Sequence, residues 1–106
     1  MPTNVDEAHL EKVIDLLGQL KDTLQQYGGK NCVPGVNSVA SELLYGDSAL
    51  EKRFQIAAEQ YRRLFGGSGT LGDFVIWNDD EIQRIKLNTR LTAIQDSLWN
   101  LFNLTQ

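Results

Sequence analysis

Only one histidine and one cysteine occur in this chain of 106 residues. His9 falls in the first turn of a predicted helix, and Glu7, two positions away, lies on a different face of that helix. A general base needs an orienting partner and a substrate pocket, and the sequence places no nucleophile beside His9. Cys32 lies before a proline with no histidine nearby to lower the pKa of its thiol. We interpret both as ordinary boundary or loop residues and predict no catalytic residues.

A glycine-rich segment at residues 66–73 invites a phosphate-binding interpretation. Gly67, Gly69 and Gly72 have the spacing of the dinucleotide-binding motif but lack the preceding strand that it needs, and the segment is no P-loop because a helical pattern precedes it and no lysine follows the glycines. We interpret the segment as a structural turn in which Thr70 or Asp73 hydrogen-bonds to loop N–H groups. The residues assigned to this turn are Gly66, Gly67, Gly69, Thr70, Gly72 and Asp73.

Three consecutive acidic residues, at positions 79–81, are the strongest candidates for a metal site. A Mg²⁺-dependent nucleotide hydrolase of the all-helical pyrophosphatase type needs Glu-x-x-Glu and Glu-x-x-Asp pairs on facing helices. Here Glu7 and Glu11 are four positions apart, and Glu81 has no acidic residue three or four positions later. Acids at a helix start favour the positive end of the helix dipole. We therefore predict no metal and no cofactor, and retain nucleotide hydrolysis as an alternative.

Composition excludes several classes of protein. Ten Lys and Arg stand against fourteen Asp and Glu, for a net charge of −4, which is unsuited to general nucleic-acid binding. Arg53, Arg62 and Arg63 make one helix basic, which we interpret as a solvated face. No leader or membrane-spanning pattern is visible, so a cytoplasmic location is expected. The length predicts a single domain over residues 1–106.

Helical spacing dominates the rest of the chain. The first helix is predicted to begin with Asn4 as its N-cap and Glu7 as the capping-box partner, and to end at Gly28. Its apolar residues form a heptad stripe, which predicts packing within the bundle or, as an alternative, homodimerisation. The stripe consists of Leu10, Val13, Leu17, Leu20, Leu24 and Tyr27.

Three further helices are predicted. A loop at residues 30–36, with a turn at Pro34, precedes a short helix that Gly46 closes. Ser48 and Asn78 are predicted to cap the last two helices. Residues 74–77 are apolar and predict a buried extended or irregular segment, laid against the helices, before the last helix. The fold class is therefore all-α, an antiparallel bundle of three long helices and one short helix.

The segment from Leu64 to Ile76 is the most distinctive part of the sequence. It resembles a family of small, uncharacterised bacterial helical proteins in which a helix is followed by a Gly-Gly-x-Gly-Ser/Thr turn, an apolar segment and a closing helix. Gly72 departs from that pattern, because relatives more often have a larger polar residue there. The matching residues are Gly66, Gly67, Gly69, Thr70, Leu71, Asp73, Phe74, Val75 and Ile76.

Some members of this family look like immunity proteins of bacterial toxin systems. The resemblance therefore implies a small cytoplasmic binder that neutralises a toxin, and it provides no catalytic residues. We predict a non-enzymatic protein-binding module whose acidic helices contact a basic partner. The candidate contacts are Asp6, Glu7, Glu11, Asp15, Asp79, Asp80 and Glu81.

Overall fold

A computed structural model of the chain describes residues 7–65 and 71–103, with the side chain of residue 73 left out. Four α-helices account for most of these residues, and none of them lies in a β-strand. The helices are α1 (Glu7–Gln26), α2 (Val33–Tyr45), α3 (Leu50–Arg63) and α4 (Glu81–Asn103). Short 3₁₀ turns occur at Lys30–Cys32 and Leu71–Asp73. The all-α prediction is confirmed, although the helices divide into two long and two short ones, of 20, 13, 14 and 23 residues.

The heptad stripe of α1 faces the core of the protein. Val13, Leu17, Leu20 and Leu24 are buried there, while the two ends of the stripe are half-buried. Gly28 has a φ of +91°, the left-handed conformation that stops a helix and that glycine adopts without strain. The apolar residues of the stripe therefore pack within the chain, and α1 does not present this stripe to a second copy.

The start of α2 differs from the prediction. Residues 30–32 form a 3₁₀ turn, and the helix begins at Val33, so Pro34 lies in its first turn instead of in a loop. Proline is tolerated at this position, because first-turn N–H groups have no acceptor within the helix. The prediction that Gly46 closes the helix is confirmed, since the Gly46 N–H donates to the Glu42 carbonyl.

Both predicted caps of the later helices are displaced. Ala49, not Ser48, is the N-cap of α3, and no side chain caps that helix. Asp80, not Asn78, caps α4, because its Oδ1 accepts from the N–H groups of Ile82 and Gln83 at 2.9 and 3.2 Å. Sequence spacing alone leaves two to three residues of freedom at each helix start, since several polar residues there can serve as caps.

Each helix packs against two others, in the pairs α1–α2, α2–α3, α3–α4 and α4–α1. One continuous core lies between them. Its largest buried side chains are Tyr61 and Phe54 on α3 and Phe102 on α4, with Phe102 in ring contact with both. The Tyr61 hydroxyl donates to the Gln95 carbonyl at 2.9 Å, which satisfies the polar atom of a buried aromatic side chain.

The three arginines of the basic helix do not form a cluster. Arg53 lies near the start of α3 and donates to the carbonyls of Ser48 and Leu43, which joins α3 to the end of α2. Arg62 and Arg63 lie at the other end of the helix, and Arg63 forms an exposed ion pair with Glu59 at 3.7 Å. The arrangement agrees with a solvated face.

Several sequence predictions fall outside the described residues. The predicted cap Asn4, the acidic residue Asp6 and the turn residues Gly66, Gly67, Gly69 and Thr70 are among them. Gly72 is exposed within the 3₁₀ turn Leu71–Asp73, and its backbone lies close to Phe65: an added Cβ would be 3.1 Å from the Phe65 carbonyl oxygen. In the part of the chain that the structure covers, no helix is long and apolar enough to cross a membrane.

Candidate protein-binding surface

Asn88 of α4 holds the extended segment that precedes this helix. Its Oδ1 accepts from the Ile76 N–H at 2.9 Å, and its Nδ2 donates to the Ile76 carbonyl at 2.8 Å. The same Nδ2 also donates to the Arg84 carbonyl at 2.8 Å. One side chain therefore supplies both backbone partners that a neighbouring strand would otherwise provide. This explains how residues 74–78 remain extended without belonging to a sheet.

An extended segment directs successive side chains to opposite sides. Ile76 points into the core and is fully buried, whereas Val75 is 66% exposed and Trp77 is 71% exposed. The prediction of an extended or irregular segment laid against the helices agrees with the structure, because residues 74–78 lie in no helix or strand and Asn88 binds their backbone to α4. The prediction that the whole apolar run is buried is wrong, because a segment held through one backbone position buries only one of its two faces.

Trp77 is exposed but held in place. The guanidinium carbon of Arg84 lies 4.9 Å from the centroid of its ring, and its indole N–H donates to Asp79 Oδ1 at 3.3 Å. The stacked cation and the hydrogen bond restrict the Trp77 side chain before a partner binds. Binding therefore costs less side-chain entropy at this residue. The indole is therefore preorganised at the surface.

The first two turns of α4 extend this apolar surface. Ile82 is 65% exposed and Ile85 is 57% exposed, and residues three apart lie on the same helix face. Ile85 and Val75 also line a shallow open groove of about 530 Å³ that continues along α4 past Thr89 to Thr92. We call the four side chains Val75, Trp77, Ile82 and Ile85 the α4 patch.

Charges of both signs border the α4 patch. Asp79, Asp80 and Glu81 precede it and are exposed. The half-buried Arg84 lies between Ile82 and Ile85, and the exposed Lys86 and Arg90 follow Ile85 along α4. The surface around the patch is therefore dipolar, with an acidic end and a basic end.

The predicted acidic contacts do not form one surface. Glu7, Glu11 and Asp15 are exposed on the first half of α1, and the start of α1 lies against the end of α4, where His9 Nε2 is 3.1 Å from the Leu101 carbonyl oxygen. The acids at positions 79–81 lie at the start of α4. An α-helix of 23 residues is about 34 Å long, so the two acidic groups occupy opposite ends of the protein.

The structure gives His9 and Cys32 ordinary packing roles. His9 is half-buried, and its ring lies 5.1 Å from that of Phe54. Cys32 is also half-buried, and burial raises the pKa of its thiol, which opposes the thiolate that nucleophilic chemistry requires. Both placements agree with the interpretation drawn from the sequence.

A second concavity lies between α1 and α4. This cleft of about 260 Å³ has Ile76 and Leu91 among its lining residues, and Asp22 and Arg90 lie on opposite helices. Within residues 7–65 and 71–103, no three His, Cys, Asp or Glu residues are grouped so that they could hold a metal ion. Among the described residues that line the cleft, Asp22 is the one acid.

Comparison with models of protein families gave no match, and searches of curated proteins and of solved structures gave none either.

Sequence reasoning found the acidic end of the surface but not the α4 patch itself. Helical spacing predicts that Ile82 and Ile85 begin the apolar face of the last helix; Leu91, Ile94 and Leu98 are buried as this predicts, but Ile82 and Ile85 are exposed. A signal was present: α4 continues its core stripe through Leu87, on a different side from Ile85. A helix with two apolar faces at one end has more apolar surface than a single core can cover.

Proposed function

We propose that this protein is a non-enzymatic protein-binding module, an antiparallel four-helix bundle that binds a protein partner through the α4 patch. The observation that carries the proposal is a preorganised, largely exposed tryptophan on the same segment and helix start as three exposed aliphatic side chains. Tryptophan and arginine are the residues most enriched among those that dominate interface energies. An immunity-like role, the occlusion of a partner toxin, is one use of such a surface.

The size of the α4 patch supports this function. With full side-chain areas of about 150 to 250 Å², the exposed parts of its four residues sum to about 500 Å². The largest apolar patch on a typical monomeric domain is about 300 to 600 Å² and is often functional, so an area of this size is that of a candidate binding surface. We infer that water is displaced from this surface when the protein performs its function.

The charges define the chemistry of the partner. Basic groups on the partner suit Asp79, Asp80 and Glu81, as expected for a basic toxin, but acidic groups suit Arg84, Lys86 and Arg90. A uniformly basic surface would be attracted at one end of the patch and repelled at the other. The favoured partner therefore has an apolar centre with charges of both signs.

A peptide selection tests this function even though the partner is not identified. A library of helical peptides is displayed on phage and selected on the immobilised wild-type protein alone, and the enriched peptides are then measured on the wild type and on its Trp77→Ala variant. We expect the enriched peptides to be apolar with charges of both signs, and to bind the wild type at least about thirty-fold more tightly than Trp77→Ala.

Tyr45→Ala is the matched control, because Tyr45 is a 79% exposed aromatic residue at the end of α2. It should bind the selected peptides as the wild type does. Ligands that bind Trp77→Ala and the wild type equally would contradict the proposal, since the α4 patch would then contribute nothing to binding.

A further inference from the structure

We propose that the partner of the α4 patch is a second copy of this chain, packed against it in antiparallel orientation about a two-fold axis near Ile85. The inference rests on the proposed function, since it names the occupant of the same surface. It is carried by the order of charges along α4 and by the apolar area at its start.

The order of charges is self-complementary. Acidic residues 79–81 precede Ile85 and Lys86 and Arg90 follow it, while the half-buried Arg84 beside Ile85 is stacked on Trp77. When two helices run antiparallel about an axis at Ile85, residue 81 of one copy lies at the level of residue 89 of the other. Glu81 then faces the stretch between Lys86 and Arg90, and symmetry repeats this pairing on the other side of the axis.

The basic residues after Ile85 carry charges that the described part of the chain does not pair, and Arg90 also lines the cleft between α1 and α4. Lys86 and Arg90 are both exposed, and neither forms an ion pair or a hydrogen bond among the described residues. Glu81 is exposed as well, while Asp80 caps the helix and Asp79 binds the Trp77 indole. Glu81 is therefore the acid that can be changed without removing the cap or the tryptophan contact.

The apolar area is sufficient for a small interface. Two α4 patches bury about 1,000 Å² together before their polar rim is counted, which reaches the lower limit of specific protein–protein interfaces. An interface of this size is weak and depends on concentration. The heptad stripe of α1 is buried in the core, so it does not compete for the second copy.

Sedimentation equilibrium from about 1 µM to about 1 mM protein tests the pairing. We expect a reversible monomer–dimer equilibrium that Trp77→Ala weakens at least about thirty-fold. Tyr45→Ala should leave it unchanged, and circular dichroism should show that both variants retain the helical content of the wild type. A strict monomer, or a dimer that tolerates Trp77→Ala, would overturn the inference.

A charge exchange then tests the antiparallel orientation. Glu81→Lys and the double variant Lys86→Glu/Arg90→Glu should each dimerise at least about ten-fold more weakly than the wild type, because like charges then face each other. An equimolar mixture of the two should form a heterodimer, since opposite charges face each other again on both sides of the axis. A mixture that associates no better than its components would overturn this orientation.

The two proposals fail in different ways. A strict monomer that still selects peptides through Trp77 would overturn the second copy as the occupant and leave the binding function intact. A dimer that forms by another surface, together with peptides that ignore Trp77, would overturn both proposals.

Discussion

Replacing Asn88 with alanine should destabilise the protein by about 2.5 kcal/mol. Asn88 makes two hydrogen bonds to Ile76, each contributing about 1 kcal/mol, and its loss leaves a backbone N–H and C=O beside a fully buried side chain at a further cost of about 1 kcal/mol. The Arg84 carbonyl keeps its helical partner. Alanine has a higher helix propensity than asparagine, which offsets about 0.6 kcal/mol of this loss of stability.

Urea denaturation followed by circular dichroism measures this loss. Thr89→Ala is the matched control, because Thr89 is the next residue on α4, is exposed and gains the same helix propensity. We expect the control to be slightly more stable than the wild type, and Asn88→Ala to melt about 12 °C lower. A free energy of unfolding for Asn88→Ala within about 0.5 kcal/mol of the control would refute the view that this side chain holds the extended segment.

The same variant should also release Trp77. In a Trp99→Phe background, Trp77 is the remaining tryptophan, so its fluorescence anisotropy reports the mobility of the segment. We expect a lower anisotropy in Asn88→Ala than in Thr89→Ala at equal folded fraction. Equal anisotropies would show that the stacking on Arg84 alone is enough to position the indole.

Three further outcomes are expected in denaturation experiments. Gly18→Ala should stabilise the protein by about 0.7 kcal/mol, because Gly18 is exposed within α1 with open space around it, whereas Gly28→Ala should destabilise it by about 1 kcal/mol because of the positive φ. Asp80→Ala should cost about 1 kcal/mol through loss of the α4 cap, and Asp80→Asn should recover most of it. Burial, with a smaller effect of the Asp96 carboxylate, raises the pKa of Tyr61. Above pH 10 this tyrosine ionises in the unfolded chain, whereas it stays protonated to a higher pH in the folded chain. The free energy of unfolding should therefore fall as the pH rises above 10, by up to about 1.4 kcal/mol per pH unit. Tyr61→Phe should remove this contribution to the pH dependence of the free energy of unfolding.

The helices were predictable because most of their apolar residues recur at helical spacing and face one core. The stripe of α1 and the core positions of α3 and α4 follow directly from this periodicity. Helix starts were less predictable: a Pro-Gly pair is compatible with a turn or with the first turn of a helix, and position 34 proved to be the latter.

The candidate surface was less predictable than the fold, because it depends on tertiary packing. The sequence identified the acidic residues but not that α1 and α4 place them at opposite ends of the protein. Whether Trp77 faces inward or outward depends on which backbone group Asn88 binds, and that contact joins residues twelve positions apart. Local spacing contains no information about such a contact.

The anchoring of residues 74–78 by Asn88 makes the α4 patch a conformational epitope. Val75 and Trp77 come from the extended segment, Ile82 and Ile85 come from the helix, and the bundle fixes their relative positions. A synthetic peptide spanning residues 74–92 would contain every residue of the patch but not the core that seats Ile76. Antibodies selected on the folded protein for blocking this surface should therefore fail to recognise the peptide or the denatured chain on a blot, which makes them specific reporters of the native state.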